Sequence, residues 1–286
     1  MTLTVSRPLA RAARATRTGG RRARWPLAAL LAVLSVLTVS PFLAMVVVAL
    51  SPGGRPTVPG SWPESLTFDN ITRVLSSSGF VGWTVNSLVY SVVSVVIILL
   101  TASMAGYAFA KKRFPGRDAM FWTFLATMMV PFQATLIPTF VLVNGLGGVD
   151  TFWGLIVPTL ANSQAVFLMR QFVLGLPDEL FDAAKVDGAS ELRVYWTIVV
   201  PLTRPILATL GVFVFLWHWN DFLWPLVIGQ SDTTRTLTVG LTTLRTEEMQ
   251  LSLLMASATV SVVPCLIVFF LLQRYLVNSI AMTGLK

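Results

Sequence analysis

The chain is poor in the residues from which active sites are most often built. It holds one cysteine, Cys265, and one histidine, His218, so neither a disulfide framework nor a zinc site of clustered Cys and His can be assembled. A membrane enzyme would need a cluster of His, Asp, Glu, Ser or Cys at metal or nucleophile spacing, and a single His with a single Cys argues against one. Charge is scarce as well. Only 12% of the residues are charged, about half of the roughly 25% usual in soluble domains. The acids lie mostly in loops, whereas a secondary transporter wants charges buried near the bilayer midplane for ion coupling. Nowhere does the chain contain the G-x-x-x-x-G-K-[ST] phosphate loop, so it has no nucleotide site of that kind.

What is abundant is apolar. Of 286 residues 55% are hydrophobic, with a mean hydropathy of +0.73, which reads as an all-α integral membrane protein. Apolar runs at about 25–50, 83–110, 119–143, 151–172, 202–228 and 251–277 predict six crossings, each long enough for the roughly 20 residues that span about 30 Å of hydrocarbon. The first run is too long for a signal-peptide core of about 7 to 15 residues. Residues 25–286 therefore read as one transmembrane domain, and residues 1–24, with seven arginines and no acid, as a disordered basic cytoplasmic arm. Between 51 and 82 the sequence predicts an exposed loop with one surface helix near Phe68 to Leu75. Prolines 131, 138, 158, 225 and 264 fall within or at the ends of apolar runs and predict kinked helices around a cavity.

The net charge of +8 is a topology signal and not a nucleic-acid signal, because the basic residues flank apolar runs. Seventeen Lys and Arg lie on the side of the N-terminus, and only Arg55, Arg73, Arg235 and Arg245 on the other. That bias predicts that both termini are cytoplasmic.

The long polar interruption from Leu176 to Pro205 then falls on the cytoplasmic face. Pro177 suits a first helical position, Asp178 and Glu179 the positive end of the helix dipole and Lys185 the negative end. Gly188 is placed to stop that helix, and Ser190 to cap a second one, which Pro201 and Pro205 should end. On the first helix Leu180, Ala183 and Ala184 predict a face of small side chains that a partner could approach. Two readings are open at this point: a helix docked into a soluble partner, or an amphipathic linker lying on the headgroups.

A second cluster, Trp217, Trp219, Asn220, Asp221 and Trp224, is the densest polar-aromatic group within an apolar run. It reads either as a functional site, since an intramembrane Asp is a functional candidate by default, or as an interfacial aromatic belt. Asn86 and Gln133 are expected to line a path or to bond a neighbouring helix.

The stretch Asp182-Ala183-Ala184, Gly188, Ile198-Val199-Val200-Pro201 resembles the signature of permease subunits of bacterial ATP-binding-cassette importers, with Asp182 where Glu is usual. The resemblance to the carbohydrate branch includes Asn86-Ser87-Leu88, the segment Ala105 to Arg117, Pro131, Ile137-Pro138, Phe167 to Phe172, Trp219 to Leu226 and Gln273-Arg274-Tyr275. The chain is similar to the smaller, six-helix permease of maltose-type transporters. The resemblance implies a type I importer permease fold and a coupling loop over 176–201, in which Asp182, Ala183, Ala184, Asp187 and Gly188 meet an ATPase. It implies a second permease completing a heterodimer, two ATPase subunits holding ATP and Mg, an extracytoplasmic solute-binding protein and surrounding membrane lipids. No cofactor or metal is expected in this chain. Trp217, Asn220, Asp221 and Asn86 are the expected transport-path residues, for a sugar, an oligosaccharide or another small solute such as a glycerol phosphate.

Overall fold

The computed structural model describes residues 24–52, 63, 65–77, 79–243 and 251–283. The basic arm up to residue 23, Arg55, Glu64, Arg245 and the last three residues lie outside the described residues. Regular structure among the described residues is entirely helical: α1 (Arg24–Ala49), α2 (Asp69–Ser76), α3 (Phe80–Lys111), α4 (Arg117–Thr127), α5 (Phe132–Gly145), α6 (Phe152–Thr159), α7 (Ser163–Leu174), α8 (Asp178–Val186), α9 (Glu191–Trp219), α10 (Leu223–Ile228), α11 (Leu237–Thr243) and α12 (Leu251–Thr283).

Helix α3 is the axis of the bundle. Its 32 residues span about 48 Å at 1.5 Å per residue, and it packs chiefly against α7 and α9, while α12 joins α1 to α9. Small residues on α3 allow this closeness. A Cβ added at Gly106 would lie 2.6 Å from Met169 Cβ and 2.9 Å from the Arg170 backbone nitrogen on α7. One core fills the α8 end of the bundle, with Ile98, Tyr107, Met169, Phe181, Tyr195 and Val199. The opposite end is filled by Phe80, Trp83, Phe215, Trp219 and Leu237.

Four helices, α1, α3, α9 and α12, are long and apolar enough to cross a membrane, and the number rises to six if two bent pairs each count as one crossing. The bent pairs fall where Pro131 and Pro158 predict kinks in the third and fourth crossings. Helices α4 and α5 meet at 101°, and α6 and α7 at 44°. Pro131 caps α5 in an extended conformation, as expected of a ring that cannot donate to the helix before it. Pro158 sits in a 3-10 turn at the end of α6.

The fifth crossing also differs from its predicted span of 202–228. Helix α9 runs without interruption from Glu191, absorbing the segment expected as a separate loop helix, and it ends at Trp219. Pro201 does not stop it because the turn before it is widened to a π-helix over Tyr195–Val199, in which the Val200 N–H donates to the carbonyl of Tyr195 five residues back. In a regular helix a proline ring collides with the carbonyl four residues earlier, and a π-bulge alters that spacing.

Candidate functional site

Two regions of the bundle carry groups that packing alone does not account for. The first is α8. Its local chemistry follows the sequence: Asp178 and Glu179 occupy the first turn, Lys185 the last, and Gly188 follows with φ +69°, a left-handed conformation that strains any residue with a Cβ. Ser190 Oγ accepts from the Arg193 N–H at 3.4 Å and so caps α9. Pro177 lies one position before the helix, not inside it.

Helix α8 is fixed on one face and bare on the other. Phe181 and Ala184 are buried in the same core as α3 and α7, with the Phe181 ring stacked on Tyr107 at 5.9 Å. This corrects the expected face of Leu180, Ala183 and Ala184. Ala184 points inward, three residues from Phe181 and therefore on its side of the helix, while Ala183 is exposed. Lys111, at the end of α3, donates to Asp178 Oδ1 at 2.5 Å and to the Leu176 carbonyl at 2.7 Å. Lys112 pairs with Glu191 at the start of α9, and Tyr107 Oη donates to that carboxylate at 3.0 Å. The Lys111 ammonium holds the Asp178 carboxyl below the usual carboxylate range. Asp178 itself is largely exposed, so solvent screens the ion pair and leaves it a minor contributor. Burial of the Phe181 ring stabilises the attachment by about 1.5–3 kcal/mol and outweighs it. The bare face presents Asp182, Ala183, Asp187 and Gly188 to solvent, with Asp182 bonded to Lys185 at 3.0 Å.

The second region is a cavity of about 460 Å³ where three breaks in the helices meet. The break before α5 supplies Phe132 and Gln133, the break between α6 and α7 supplies Pro158, Thr159 and Ala161, and the break between α9 and α10 supplies Asn220, Asp221 and Phe222. At membrane depth, interrupted backbone is tolerated where it is buried in protein or lines a water-filled cavity. Three breaks therefore converge on one space.

The wall of this cavity is a connected polar chain. Tyr90, buried on α3, donates from Oη to Asp221 Oδ2 at 2.9 Å. Its ring meets the His218 ring edge-on at 4.9 Å. His218 Nε2 lies 3.2 Å from Thr159 Oγ1, and Nδ1 lies 2.8 Å from the Val214 carbonyl. Trp217 is 57% exposed and faces the cavity.

The polar-aromatic cluster therefore divides. Trp217, Asn220 and Asp221 line the cavity, as does Gln133. Trp219 and Trp224 are packing residues: Trp219 Nε1 donates to the Ser261 carbonyl on α12, and Trp224 Nε1 to the Leu155 carbonyl on α6, each at 3.1 Å. Asn86 is a correction to the expected path residues. Its Nδ2 donates to the carbonyls of Arg235 at 2.9 Å and Asp232 at 3.3 Å, so it clamps the 229–236 loop onto the start of α3. Beside it, Ser87 Oγ accepts from the Leu237 N–H at 2.8 Å. Tyr90, Thr159 and His218 are polar cavity residues that sequence reasoning missed, since nothing local marks single polar side chains within apolar runs.

Residues 94–282 match the family described as "Binding-protein-dependent transport system inner membrane component". The chain belongs to this family. Such a permease is a multi-pass membrane protein and a transport component, not an enzyme. The arabinooligosaccharides transport system permease protein AraQ of Halalkalibacterium halodurans is 36% identical over 268 residues, covering 92% of this chain and 96% of its own. The sn-glycerol-3-phosphate transport system permease protein UgpE of Yersinia pestis bv. Antiqua is 34% identical over 198 residues, covering 68% and 70%. Among solved structures, a chain of a bacterial ABC transporter involved in the import of the acidic polysaccharide alginate superposes with a TM-score of 0.80 at 25% identity, covering 90% of this permease and 98% of its own length. The architecture is thus that of a type I importer permease.

Proposed function

We propose that this permease is a membrane subunit of an ATP-driven, binding-protein-dependent importer of a sugar or oligosaccharide, and that α8 is its coupling helix. The observation that carries the reading is the two-sided character of α8. One face, Phe181 and Ala184, is continuous with the core around α3 and α7, and the other leaves Asp182, Ala183, Asp187 and Gly188 uncovered. A partner that moves this bare face moves the bundle with it. Two ATPase subunits holding ATP and Mg are the proposed source of that motion, a second permease completes the translocation path as a heterodimer, and an extracytoplasmic binding protein delivers the solute. In this arrangement the α8 end and both termini face the cytoplasm of a bacterial cell, consistent with the excess of Lys and Arg on that side. Aromatic and amide groups at the cavity, Phe132, Trp217, Gln133 and Asn220, suit the apolar faces and hydroxyls of a saccharide, and the likeness to AraQ supports the same class. Import of a glycerol phosphate is the second reading, favoured by the likeness to UgpE.

Reconstitution tests the reading. The chain in proteoliposomes with its second permease, ATPases and binding protein should show sugar-stimulated ATP hydrolysis and ATP-dependent uptake. Uptake that needs only an ion gradient and no ATPase would overturn it.

A further inference from the structure

The lining of the cavity is one-sided in charge. Among the described residues that border it, Asp221 is the one carboxylate, and none is a lysine or arginine. No cation pairs with Asp221 among the described residues. Its side chain receives the Tyr90 hydroxyl, and the Thr238 hydroxyl donates to its backbone carbonyl. The nearest loop cation by sequence, Arg235, is engaged by Asp232 at 2.6 Å and by the Gln230 carbonyl at 2.8 Å. A carboxylate so placed, walled by Phe132, Trp217, Phe222 and Leu223, projects its field into the cavity with little screening. It also offers a charge-assisted acceptor to a sugar hydroxyl.

We infer that this cavity selects against anionic solutes and that Asp221 is the selecting group, so that neutral saccharides occupy it while uronates and sugar or polyol phosphates are turned away. The inference rests on the importer reading and narrows its substrate class. It separates this permease from the glycerol-phosphate alternative, and it means that the likeness to an alginate importer extends to the fold and not to the charge of the cargo. At a separation of about 6 Å and an effective dielectric constant near 20–40, one unit charge changes occupancy by an anion by about tenfold or more.

The test uses the full complex of both permeases and the ATPases in lipid nanodiscs. It carries Ala161→Cys, at an exposed cavity position, and Cys265→Ser. Reaction of the new thiol with a cationic and an anionic methanethiosulfonate reagent is measured, each rate divided by its rate with a free thiol in solution. The cationic reagent should be favoured about tenfold, Asp221→Asn should abolish the preference, and Asp221→Glu should keep it. The amide at 221 still accepts from Tyr90. If that variant fails to assemble, Leu223→Lys leaves the bonds of Asp221 in place and should cancel the preference in its stead. In the same complex arabinotriose should slow the labelling, and trigalacturonate should do so only after Asp221→Asn. Equal normalised rates for the two reagents, or equal protection by the two trisaccharides without a substitution at 221, would overturn the inference. Absence of sugar-stimulated ATP hydrolysis by the complete importer would instead overturn the reading beneath it and leave the reagent preference standing.

Discussion

Single side chains decide more here than their number suggests, because each of the informative ones joins segments far apart in the chain. Tyr90 and Asp221 are 131 residues apart and 2.9 Å from each other. A hydrogen bond to a charged group contributes about 1.5–3 kcal/mol. Tyr90→Phe should therefore lower the melting temperature of the detergent-solubilised protein more than Asp221→Asn does, because the amide still accepts the hydroxyl. The reverse order would show that the bond does not hold the break in place. Gly106→Ala should destabilise by about 1–3 kcal/mol, since its new methyl meets the α7 backbone. Asp150, at φ +61° in the turn between α5 and α6, ties that turn to the 229–236 loop. The Ser231 hydroxyl, the Thr234 hydroxyl and the Ser231 N–H hold its carboxyl below the usual range. A depressed folded value means that this contribution is fully present above the ordinary carboxylate range and is lost as pH falls from there through the depressed folded value. The stability difference between Asp150→Asn and the unsubstituted protein should be measurable at pH 7, under about 1 kcal/mol given the exposure of the turn. It should shrink steadily as the pH of the unfolding measurement is lowered below the ordinary carboxylate range.

At the scale of elements, α8 behaves as part of the bundle on one side and as a free surface on the other. Phe181→Ala should loosen that attachment by roughly 3 kcal/mol and lower sugar uptake per ATP hydrolysed. Replacing Lys111 and Lys112 together by alanine should lower the melting temperature by much less than Phe181→Ala, because their partners are solvent-exposed. Gly188→Pro cannot adopt the left-handed turn after α8, and Asp182→Lys reverses a charge on the bare face. Both should leave membrane insertion intact and reduce uptake relative to hydrolysis in proteoliposomes; unchanged coupling in both would make α8 a linker only. These features of α8 were legible in the sequence because caps and stop signals are local. The π-turn before Pro201 was not, because a proline marks a boundary unless the neighbouring turn widens, and packing of Tyr195 and Val199 into the core makes the continuous helix the better arrangement.

At the scale of the molecule, α3 carries the clamped 229–236 loop at its first residues and α8 at its last, which places these two regions at opposite ends of one helix about 48 Å long. A cysteine at Ala183 should react with an impermeant thiol reagent only from the cytoplasmic side of the membrane, and one at Asp232 only from outside. Labelling of both from one side would refute the orientation drawn from the Lys and Arg count. Composition and apolar periodicity by themselves determined that the chain is an all-helical membrane protein, where α1, α3 and α12 run, and how α8 begins and ends, because bilayer thickness and helix capping act on contiguous residues. How sharply the third and fourth crossings bend at their prolines, where the fifth begins and ends, which of the clustered tryptophans pack and which face a cavity, and the pairing of Tyr90 with Asp221 were decided only by the tertiary structure. An interrupted helix in a membrane has to find partners for its freed backbone groups. Those partners come from segments that no local pattern connects.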